Sequence, residues 1–575
     1  MLTNALFAVV ALAVGRVLWR VLSRYLLRSS LDNIPGPPPE SILSGNFRQM
    51  FSPTAWAFHD KLANEYGPVV RTTGLLGEKQ LYVSDPKALH HIVVKDQNIY
   101  EEHPQFISTN TVVFGKGLLS TLGEDHRRQR KLMNPVFSTS HIRSMTYSAL
   151  LICAQLRTSL ETLTEDGPRE IDMLEWISRT ALELIGRSGL GHSFDDLTVD
   201  ATPHPYTVSI KELAPAMFRV FFWRVYVLPH VHKLGPAWLR RLVVNVLPMR
   251  RVHDLRDKVD LMWANSKEIY SRKLEALRLG DEAVTKQVGQ GKDILSLLIR
   301  ANMKAEDPLD EDELLGQMST IIFAAMDTTS SALSRTLSLL VQHTDVQERL
   351  RAEIRAAKKD HDVLSYDQLD SLPYLDAVCR ETLRLSVSIV CYSQRVLKAS
   401  TASRHCLSFC ACESFGLFFC AVDLTRPRAR EDVVMPFSRP IVGIDGKTMN
   451  EVHVPKDTPV IIAIQNANRD PDIWGEDAKE WKPERWLQPL PDSVADAHMP
   501  GVYGNLMTFL GGGRSCIGFK FSQLEMKVVL VELLDAFKLS SSDKDLKWRM
   551  SVIVSPYLQD QPERSQLPIV LSEAP

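Results

Sequence analysis

The chain has 575 residues, a formal net charge of -2 and an apolar fraction of 45%, which are ordinary values for a globular protein with a sizeable core. The near-neutral balance gives no indication of nucleic-acid binding, since such proteins usually carry a basic excess. Eight cysteines in this length exclude a secreted disulfide scaffold and favour a reducing, cytosol-facing environment.

The first thirty residues (1–30) predict a membrane anchor helix. The uncharged apolar run Leu2–Gly15 is followed by arginines at every fourth position: Arg16, Arg20, Arg24 and Arg28. A full span needs about 20 apolar residues, so Arg16 and Arg20 would reach toward lipid headgroups. A cleaved signal peptide carries its charge before the apolar core, which leaves an anchor or, alternatively, an interfacial helix. Arginines on the C-terminal side predict a cytosolic location for the remainder.

Residues 31–50 predict a stiff hinge, because they contain the proline-rich stretch Ile34–Pro39 and proline favours extended backbone. Residues 51–575 show no further linker, repeat or low-complexity tract and predict one large domain. Helical periodicity predominates in it, at 312–342, 346–359, 372–385 and 521–537. Shorter strand-like pieces lie at 69–74, 79–84, 432–436 and 459–465. Many helices with little sheet predict a mainly α (α+β) fold.

The segment 216–242 is aromatic and basic together, reading AMFRVFFWRVYVLPHVHKLGPAWLRRL. One interpretation is a surface that dips into a membrane. The other is a pair of core helices whose arginines are solvated, and the sequence leaves both open.

Three helical segments carry polar residues whose ordinary explanation is structural. In the basic run GEDHRRQRKLMNPVFS, His126 and Arg130 would lie on a solvated helix face. Glu381 and Arg384 are three residues apart and in pairing range, as in an ordinary surface ion pair. In AAMDTTS of the long helix, Thr328 would bond back to the carbonyl of Ala324, four residues earlier.

The stretch FLGGGRSCIGF, residues 509–519, gives Cys516 a distinctive setting. Three consecutive glycines disfavour a helix or strand interior and permit a tight loop with accessible amides. Cys516 follows Arg514 and precedes a predicted helix, so we expect its pKa to be lowered toward the thiolate form. A lone cysteine is otherwise a small buried apolar residue, but that explanation accounts for neither the glycines nor the arginine.

The spacing Phe-x-x-Gly-x-Arg-x-Cys-x-Gly in this stretch resembles the cytochrome P-450 family. Five fixed residues within ten carry the resemblance: Phe509, Gly512, Arg514, Cys516 and Gly518. It implies the cytochrome P-450 fold, a large helical domain with small β-sheets, and haem b as cofactor. It also implies that Cys516 is the axial thiolate of the haem iron, which favours O–O cleavage, and that the other four residues belong to the cofactor-binding loop.

Further motifs are similar to those of the family and follow in its order. The family's Glu-x-x-Arg pair, here Glu381 and Arg384, joins the arginine of a downstream PERW run, here Arg485, to lock the cysteine loop. His126 and Arg130 match a helix that binds the haem propionates, and a guanidinium suits a carboxylate well. The resemblance therefore implies structural roles for Glu381, Arg384 and Arg485. It implies cofactor-binding roles for His126 and Arg130.

The long helix resembles the family's oxygen-binding segment, with Ala325 where glycine is usual. Small residues let a helix approach a flat cofactor closely. The resemblance implies that Asp327 and Thr328 are the catalytic pair that relays protons to dioxygen.

By resemblance the chain is a eukaryotic microsomal member, similar to fungal ones. This implies a monooxygenase that inserts one oxygen atom of dioxygen into its substrate, with electrons from NADPH through NADPH–cytochrome P-450 reductase. A single N-terminal anchor would hold it in the endoplasmic reticulum membrane, with the catalytic domain cytosolic. Apolar segments expected at the pocket, with Phe106, Phe114, Phe218 and Phe323, predict a lipophilic substrate: a terpenoid or polyketide secondary metabolite, a xenobiotic, a steroid or an aromatic. Lys520 and Arg127 are candidate contacts for an acidic redox partner.

Two alternatives stay open beside the monooxygenase. One is a haem–thiolate isomerase or dehydratase that needs no reductase, against which the Asp327–Thr328 pair speaks. The other is an inactive membrane-bound member, because residues 387–427 depart from the family.

The block 387–427 contains half of the chain's eight cysteines: Cys406, Cys410, Cys412 and Cys420. Their spacing lacks the paired two-residue gaps of a zinc site, and a disulfide cluster would need an oxidising compartment. Its composition shifts abruptly toward Cys, Ser and Phe, which leads us to the hypothesis of an anomalous insertion from a retained intron. The arginine that would contact a haem propionate beyond the Glu-x-x-Arg helix stays open among three: Arg395, Arg426 and Arg428.

Overall fold

Helices form most of the body in the computed structural model, which describes residues 15, 19, 21–202, 204–280, 283, 288–359, 361, 363–386, 392–396, 432–550 and 553–575. Within these residues the helices of ten or more residues are, as α1 to α12, Pro104–Phe114, Gly123–Met133, Thr139–Thr164, Met173–Ile185, Pro205–Arg219, Ala237–Val246, Arg250–Leu279, Ile294–Met303, Glu311–Gln342, Thr344–Lys358, Pro373–Leu385 and Phe519–Ala536. Shorter helices are Phe47–Phe51, Trp56–Lys61, Pro86–His90, Leu228–Val231, Tyr366–Asp370, Ile464–Asn468, Pro471–Trp474 and Asp492–Asp496.

The long helix α9 is central to the core. It begins at Asp310, whose side chain accepts from the Glu313 N–H while Glu313 accepts from the Asp310 N–H, a reciprocal capping box. Most of its length is buried, and it packs against α4, α7, α11 and α12. This confirms the helix predicted over 312–342, and the helices predicted at 346–359, 372–385 and 521–537 are found within two residues of their predicted starts.

Short strands form four small sheets in the described part of the chain. As β1 to β13 they are Val69–Thr73, Lys79–Val83, Tyr100–Glu102, Arg169–Asp172, Tyr392–Val396, Val433–Val442, Thr448–Val454, Pro459–Ile462, Phe537–Ser541, Leu546–Arg549, Ser555–Leu558, Gln561–Ser565 and Pro568–Glu573. One sheet has the order β1-β2-β8-β5-β3, and the others are β10-β11-β12, β4-β13-β9 and β6-β7. Many helices with small sheets confirm the predicted mainly α fold class.

Strand β5 lies inside the five-stranded sheet, between β8 and β3. It pairs antiparallel with β8, so that Tyr392 faces Ile462, and antiparallel with β3, so that Gln394 faces Glu102. Residues 392–396 therefore complete a sheet, although the sequence placed them in the anomalous block 387–427.

The N-terminal segment is described only in part. Residues 1–14, which hold most of the apolar run of the predicted anchor, lie outside the described residues, as do 16–18 and 20. In the part that is described, no helix is both long and apolar enough to cross a membrane. The predicted hinge 31–50 lies against the body, because Leu31 and Ile34 are buried and the Arg71 N–H donates to the Pro35 carbonyl at 3.0 Å.

Candidate active site

Cys516 stands at the end of a tight loop that precedes α12. The Cys516 N–H donates to the Phe509 carbonyl at 2.9 Å and closes the loop. Gly512 has φ +63°, and a Cβ there would lie 1.6 Å from the carbonyl oxygen of Val93. Only glycine fits this close approach, which explains why the loop needs its glycine run. The loop is thereby pressed onto the turn His91–Lys95.

The Cys516 side chain is exposed in the cysteine loop. The surrounding protein nevertheless removes enough water that burial raises the pKa of the thiol. A hydrogen bond from the Gly518 N–H and the charge of Arg130 act in the opposite direction and are weaker. Our prediction of a lowered pKa beside Arg514 was therefore wrong for the cofactor-free chain, because burial outweighs the nearby positive charge.

Part of α9 forms a half-buried face close to the start of α12. Residues 313–323 and 329–334 of the helix are buried, whereas Ala324, Ala325, Asp327 and Thr328 are half-buried. The next residue, Thr329, donates its hydroxyl to Ser522 Oγ of α12 at 3.3 Å. The small residues of α9 thus come close to the helix that starts beside Cys516, and both sides present accessible surface.

Asp327 and Thr328 are adjacent on this face. Burial raises the pKa of Asp327 to about 7, although the positive charge of Lys211 opposes the shift. The Thr328 hydroxyl donates to the Ala324 carbonyl at 2.6 Å, which is the back-bonded geometry that the sequence analysis named as the ordinary explanation. The hydroxyl oxygen still has lone pairs that can accept a proton.

Basic side chains gather beside the cysteine. Arg130 donates to the Ser515 carbonyl at 2.6 Å and to Ser515 Oγ at 3.0 Å. Arg514 Nε lies 2.8 Å from Glu102 Oε1. Burial, reinforced by the charges of Arg514 and Arg130, lowers the pKa of His126 to about 3, so the imidazole is neutral at physiological pH. The structure therefore brings His126 and Arg130, which the resemblance assigned to the haem propionates, close to Arg514 of the cysteine loop.

Glu381 and Arg384 form a completely buried ion pair. Arg384 Nε and Nη2 lie 2.8 Å from Glu381 Oε2 and Oε1, and Trp486 Nε1 donates to Oε2 at 2.9 Å. Arg485, the predicted third member, approaches Glu381 Oε1 only at 3.5 Å. Its shorter contact is with Asp477 Oδ1 at 2.8 Å, so Arg485 chiefly holds the chain around Asp477.

Asn468 and Thr508, which sequence reasoning missed, connect this pair to the cysteine loop. Arg384 Nη1 donates to the Asn468 carbonyl at 3.0 Å. Asn468 Oδ1 accepts from the Met507 N–H at 2.7 Å, and its Nδ2 donates to Thr508 Oγ1 at 2.8 Å. Thr508 in turn donates to the Leu383 carbonyl at 2.7 Å. No spacing in the run NANRD marks Asn468, so the sequence offered no signal for it.

Apart from strand β5, the block 387–427 lies outside the described residues. Cys406, Cys410, Cys412 and Cys420, together with Arg426 and Arg428, lie outside the described residues, and of Arg395 only the backbone on β5 is described. Elsewhere in the described chain no group of three His, Cys, Asp or Glu side chains could hold a metal ion.

The site fits an iron porphyrin. A single accessible thiol suits one axial position, small residues on α9 leave room for a flat group, and two guanidiniums suit its carboxylates. The family model for cytochrome P-450 proteins matches residues 35–405 and 434–559. The chain belongs to the cytochrome P-450 family. A match of this extent also covers every motif described above.

Among the relatives of this cytochrome P-450 are fungal proteins named as monooxygenases and one named as a synthetase. It is 48% identical over 545 residues to cytochrome P-450 monooxygenase 91 of Postia placenta, covering 94% of each chain. It is 45% identical over 555 residues to monooxygenase 81 of the same fungus, covering 96% of this chain and 95% of the relative. It is 40% identical over 571 residues to the ganoderic acid synthetase of Ganoderma lucidum, covering 98% of each. This cytochrome P-450 is a monooxygenase.

The family match narrows the interval that departs from the family. Residues 387–405, which the sequence analysis assigned to the anomalous block, are matched, whereas 406–433 are not. The unmatched interval contains all four clustered cysteines: Cys406, Cys410, Cys412 and Cys420.

Proposed function

We propose that this cytochrome P-450 inserts one oxygen atom of dioxygen into a lipophilic small molecule, with electrons from NADPH through a membrane-bound reductase. The observation that carries the proposal is the accessible Cys516 thiol at the start of α12, a helix that the half-buried part of α9 contacts through Thr329 and Ser522. Haem b bound there would supply the redox chemistry of dioxygen activation. Cys516 would hold its iron, and Arg130 and Arg514 would bind its carboxylates.

The protein's own contribution to the reaction is proton handling on α9. With a pKa of about 7, the Asp327 carboxyl holds a proton near neutral pH and can also release it. The adjacent Thr328 oxygen can accept and pass on that proton. This pair favours the monooxygenase over the isomerase or dehydratase alternative, since those reactions need no proton delivery to dioxygen.

Aromatic side chains that pack between α1 and α9 support the proposal of an apolar substrate. The Phe114 and Phe323 rings pack 4.8 Å apart between α1 and α9, where the pocket was expected. Phe218, which we had also assigned to the pocket, is 41% exposed and contacts Phe221, so it belongs to the surface instead. The printed name of the Ganoderma relative, a ganoderic acid synthetase, leads us to place terpenoids first among the lipophilic classes.

Membrane attachment is supported by an exposed apolar surface on 216–247. No residue of α6 is buried, and Trp238, Leu242 and Val246 project from it at helical spacing with exposures of 68%, 52% and 73%. Between Glu212 and Asp254 the chain carries seven basic and no acidic residues, which suits an anionic lipid surface. We propose that this surface and the anchor 1–30 together hold the domain on the endoplasmic reticulum membrane.

A reductase would dock on the side of the chain behind the cysteine loop. Arg127 is 67% exposed there beside Glu124 at 2.7 Å. Lys520 is half-buried and donates to Thr139 Oγ1 at 2.6 Å, so of the two candidates Arg127 is better placed to meet an acidic partner.

The retained-intron hypothesis is kept with narrower bounds. The family match stops at residue 405 and resumes at 434, and β5 ends at Val396. We propose that an interval within 397–433 is absent from the mature protein, and with it the clustered cysteines. Arg395, on β5 beside Glu101 of β3, then remains as the propionate-binding arginine of the three candidates.

The deciding experiment is a difference spectrum of the reduced, carbon-monoxide-treated full-length chain. We expect the Soret band typical of a haem–thiolate protein, and its loss in Cys516→Ser with haem still bound or lost. Cys379→Ser, which alters an equally reduced but buried cysteine on α11, is the control and should keep the band. Absence of this band both from the full-length chain and from a chain that lacks residues 398–428 would contradict the proposal.

A further inference from the structure

Glu102 is a buried carboxylate that contacts the cysteine loop through Arg514. It is the last residue of β3, and only 2% of it is exposed. Side chains alternate along a strand, so Tyr100 and Glu102 point inward while Glu101 is half-buried. Pairing with β5 fixes the strand, since Glu102 lies opposite Gln394. The sheet thus holds this carboxylate in one place.

Glu102 binds one edge of the Arg514 guanidinium. Its Oε1 lies 2.8 Å from Arg514 Nε. Arg514 Nη2 donates to the Thr121 carbonyl at 2.8 Å, and Nη1 has a longer contact of 3.4 Å with the Leu118 carbonyl. A guanidinium has five N–H donors, so these three contacts orient its plane and leave donors for another acceptor.

The segment that contains Leu118 is held in turn by α9. Gln317 Oε1 accepts from the Leu118 N–H at 3.0 Å. Gly117 packs directly on Gly316, because a Cβ on Gly117 would lie 2.5 Å from the Gly316 carbonyl oxygen. The Arg514 guanidinium is therefore held on one side by Glu102 of β3. On the other side it is held by the loop that contains Leu118, which is bonded to α9.

The pairing is hard to explain by stability alone. Glu102 is buried and the Arg514 side chain is only 21% exposed, so the desolvation penalty of the pair offsets much of its Coulomb gain and the pair is weak evidence for stabilisation. Arg130 occupies the same site, and its hydrogen bonds go to Ser515 rather than to a carboxylate. A group with two carboxylates would meet two guanidiniums here, one of which is already oriented and partly neutralised.

We propose that Glu102 is a positioning residue for Arg514: it orients the guanidinium toward a haem carboxylate and offsets part of the positive charge beside Cys516. The proposal rests on the proposed haem site. Two effects can be separated. The orientation of the Arg514 guanidinium needs a hydrogen-bond acceptor at position 102. The offset of the positive charge beside Cys516 needs a negatively charged carboxylate there.

The test compares Glu102→Gln and Glu102→Ala with Glu451→Gln in the full-length haem-bound chain. Glu451→Gln removes the same charge from an exposed strand position on β7, in another sheet. Haem loss is followed by transfer to an excess of a haem-scavenging apoprotein, and the reduction potential of the iron by spectroelectrochemistry. Neither readout needs turnover.

We expect Glu102→Ala to lose haem at least several-fold faster than the wild type. Glu102→Gln retains an acceptor oxygen and should lose haem at nearly the wild-type rate. Both should shift the potential to more positive values, because removing a negative charge near the iron favours its reduced form. Glu451→Gln should change neither quantity. Glu102 variants that match Glu451→Gln in both readouts would overturn the proposal.

Gln317→Met provides a second test if the Glu102 variants fail to fold. It releases the Leu118 N–H without changing charge, so haem loss should accelerate while the potential stays unchanged. A folded Gln317→Met that keeps haem as the wild type does would also overturn the proposal. Absence of the haem–thiolate Soret band both from the full-length chain and from a chain that lacks residues 398–428 is a different outcome, which removes the proposed function and this inference with it.

Discussion

Arg384 donates through two nitrogens to the two carboxylate oxygens of Glu381, at 2.8 Å each, with both side chains completely buried. The pair does not touch the cysteine loop itself. Arg384 instead holds the Asn468 backbone, and the Asn468 side chain holds Met507 and Thr508 at the start of the loop. The loop's position is therefore set one hydrogen-bonded residue away from the ion pair.

Glu381→Gln should destabilise the protein strongly, because it leaves the buried Arg384 without a counter-charge. Breaking one side of a buried pair costs about 3–5 kcal/mol. Asp367→Asn is the control, since Asp367 is 68% exposed in its pair with Arg143 and a solvated pair is worth about 1 kcal/mol or less. The thermal unfolding midpoint and the haem content of both variants measure the difference. Equal losses in the two would contradict the buried-pair explanation.

Much of the fold could be predicted from local signals. The helix Glu311–Gln342 has acidic residues in its first turn and a long apolar body, and both signals are local to the sequence. The strand Tyr392–Val396 could not be found in this way, because the unusual block that follows it obscured its pattern. Its place in the sheet depends on pairing with β8 and β3, which are remote in sequence.

Gly512→Ala should prevent the cysteine loop from forming. The added Cβ would lie 1.6 Å from a backbone carbonyl oxygen, and φ of +63° is unfavourable for alanine. Gly513→Ala is the matched control, because its Cβ would meet only the flexible end of Gln97, 2.7 Å away. We expect haem-free or insoluble protein for the first variant and near-normal haem content for the second, measured by the ratio of Soret to protein absorbance. A haem-loaded Gly512→Ala would show that the loop tolerates displacement.

Asp327→Asn should gain in relative stability as pH rises. The folded-state pKa of Asp327, about 7, lies above its ordinary value of 3.8, so the folded chain binds more protons between these limits. Wild-type stability therefore falls as pH rises from about 4 to about 7, by at most about 1.4 kcal/mol per pH unit, and levels off above. Asparagine does not titrate and escapes this loss. Thermal unfolding midpoints of both proteins from pH 5 to 8 measure the effect, and parallel curves would contradict it.

The candidate site was predictable only where a motif marks it. Cys516, Arg514 and Gly512 stand at fixed spacing within ten residues, so the sequence was sufficient to single them out. Glu102, Asn468 and Thr508 reach the same loop from distant parts of the chain, and each is an ordinary polar residue in its own segment. The pKa of Cys516 moved opposite to our prediction because burial is a property of the packed fold rather than of neighbours in sequence.

Trp238 should lie in the lipid interface if the exposed surface on 216–247 contacts a membrane. Vesicles of anionic lipid with brominated acyl chains quench tryptophans at that depth, so the full-length chain should be quenched on binding. Trp238→Phe should reduce the fraction of tryptophan fluorescence that is quenched, because it removes a tryptophan that is 68% exposed. Trp176→Phe removes a tryptophan that is 7% exposed within α4 and should leave the quenched fraction almost unchanged. Equal effects of the two substitutions would contradict contact by α6.

Removal of residues 398–428 should yield a competent protein. Val396 ends β5 and Val433 begins β6, so the deletion leaves a connection of five residues, Leu397 and 429–432, which is a common loop length. We expect a higher haem content per protein than in the full-length chain, with the Soret band of the carbon-monoxide complex at the same wavelength. Sequencing of the mature transcript provides the independent check. Mature messenger that retains these codons, together with a deletion variant that binds no haem, would show that the block belongs to the protein.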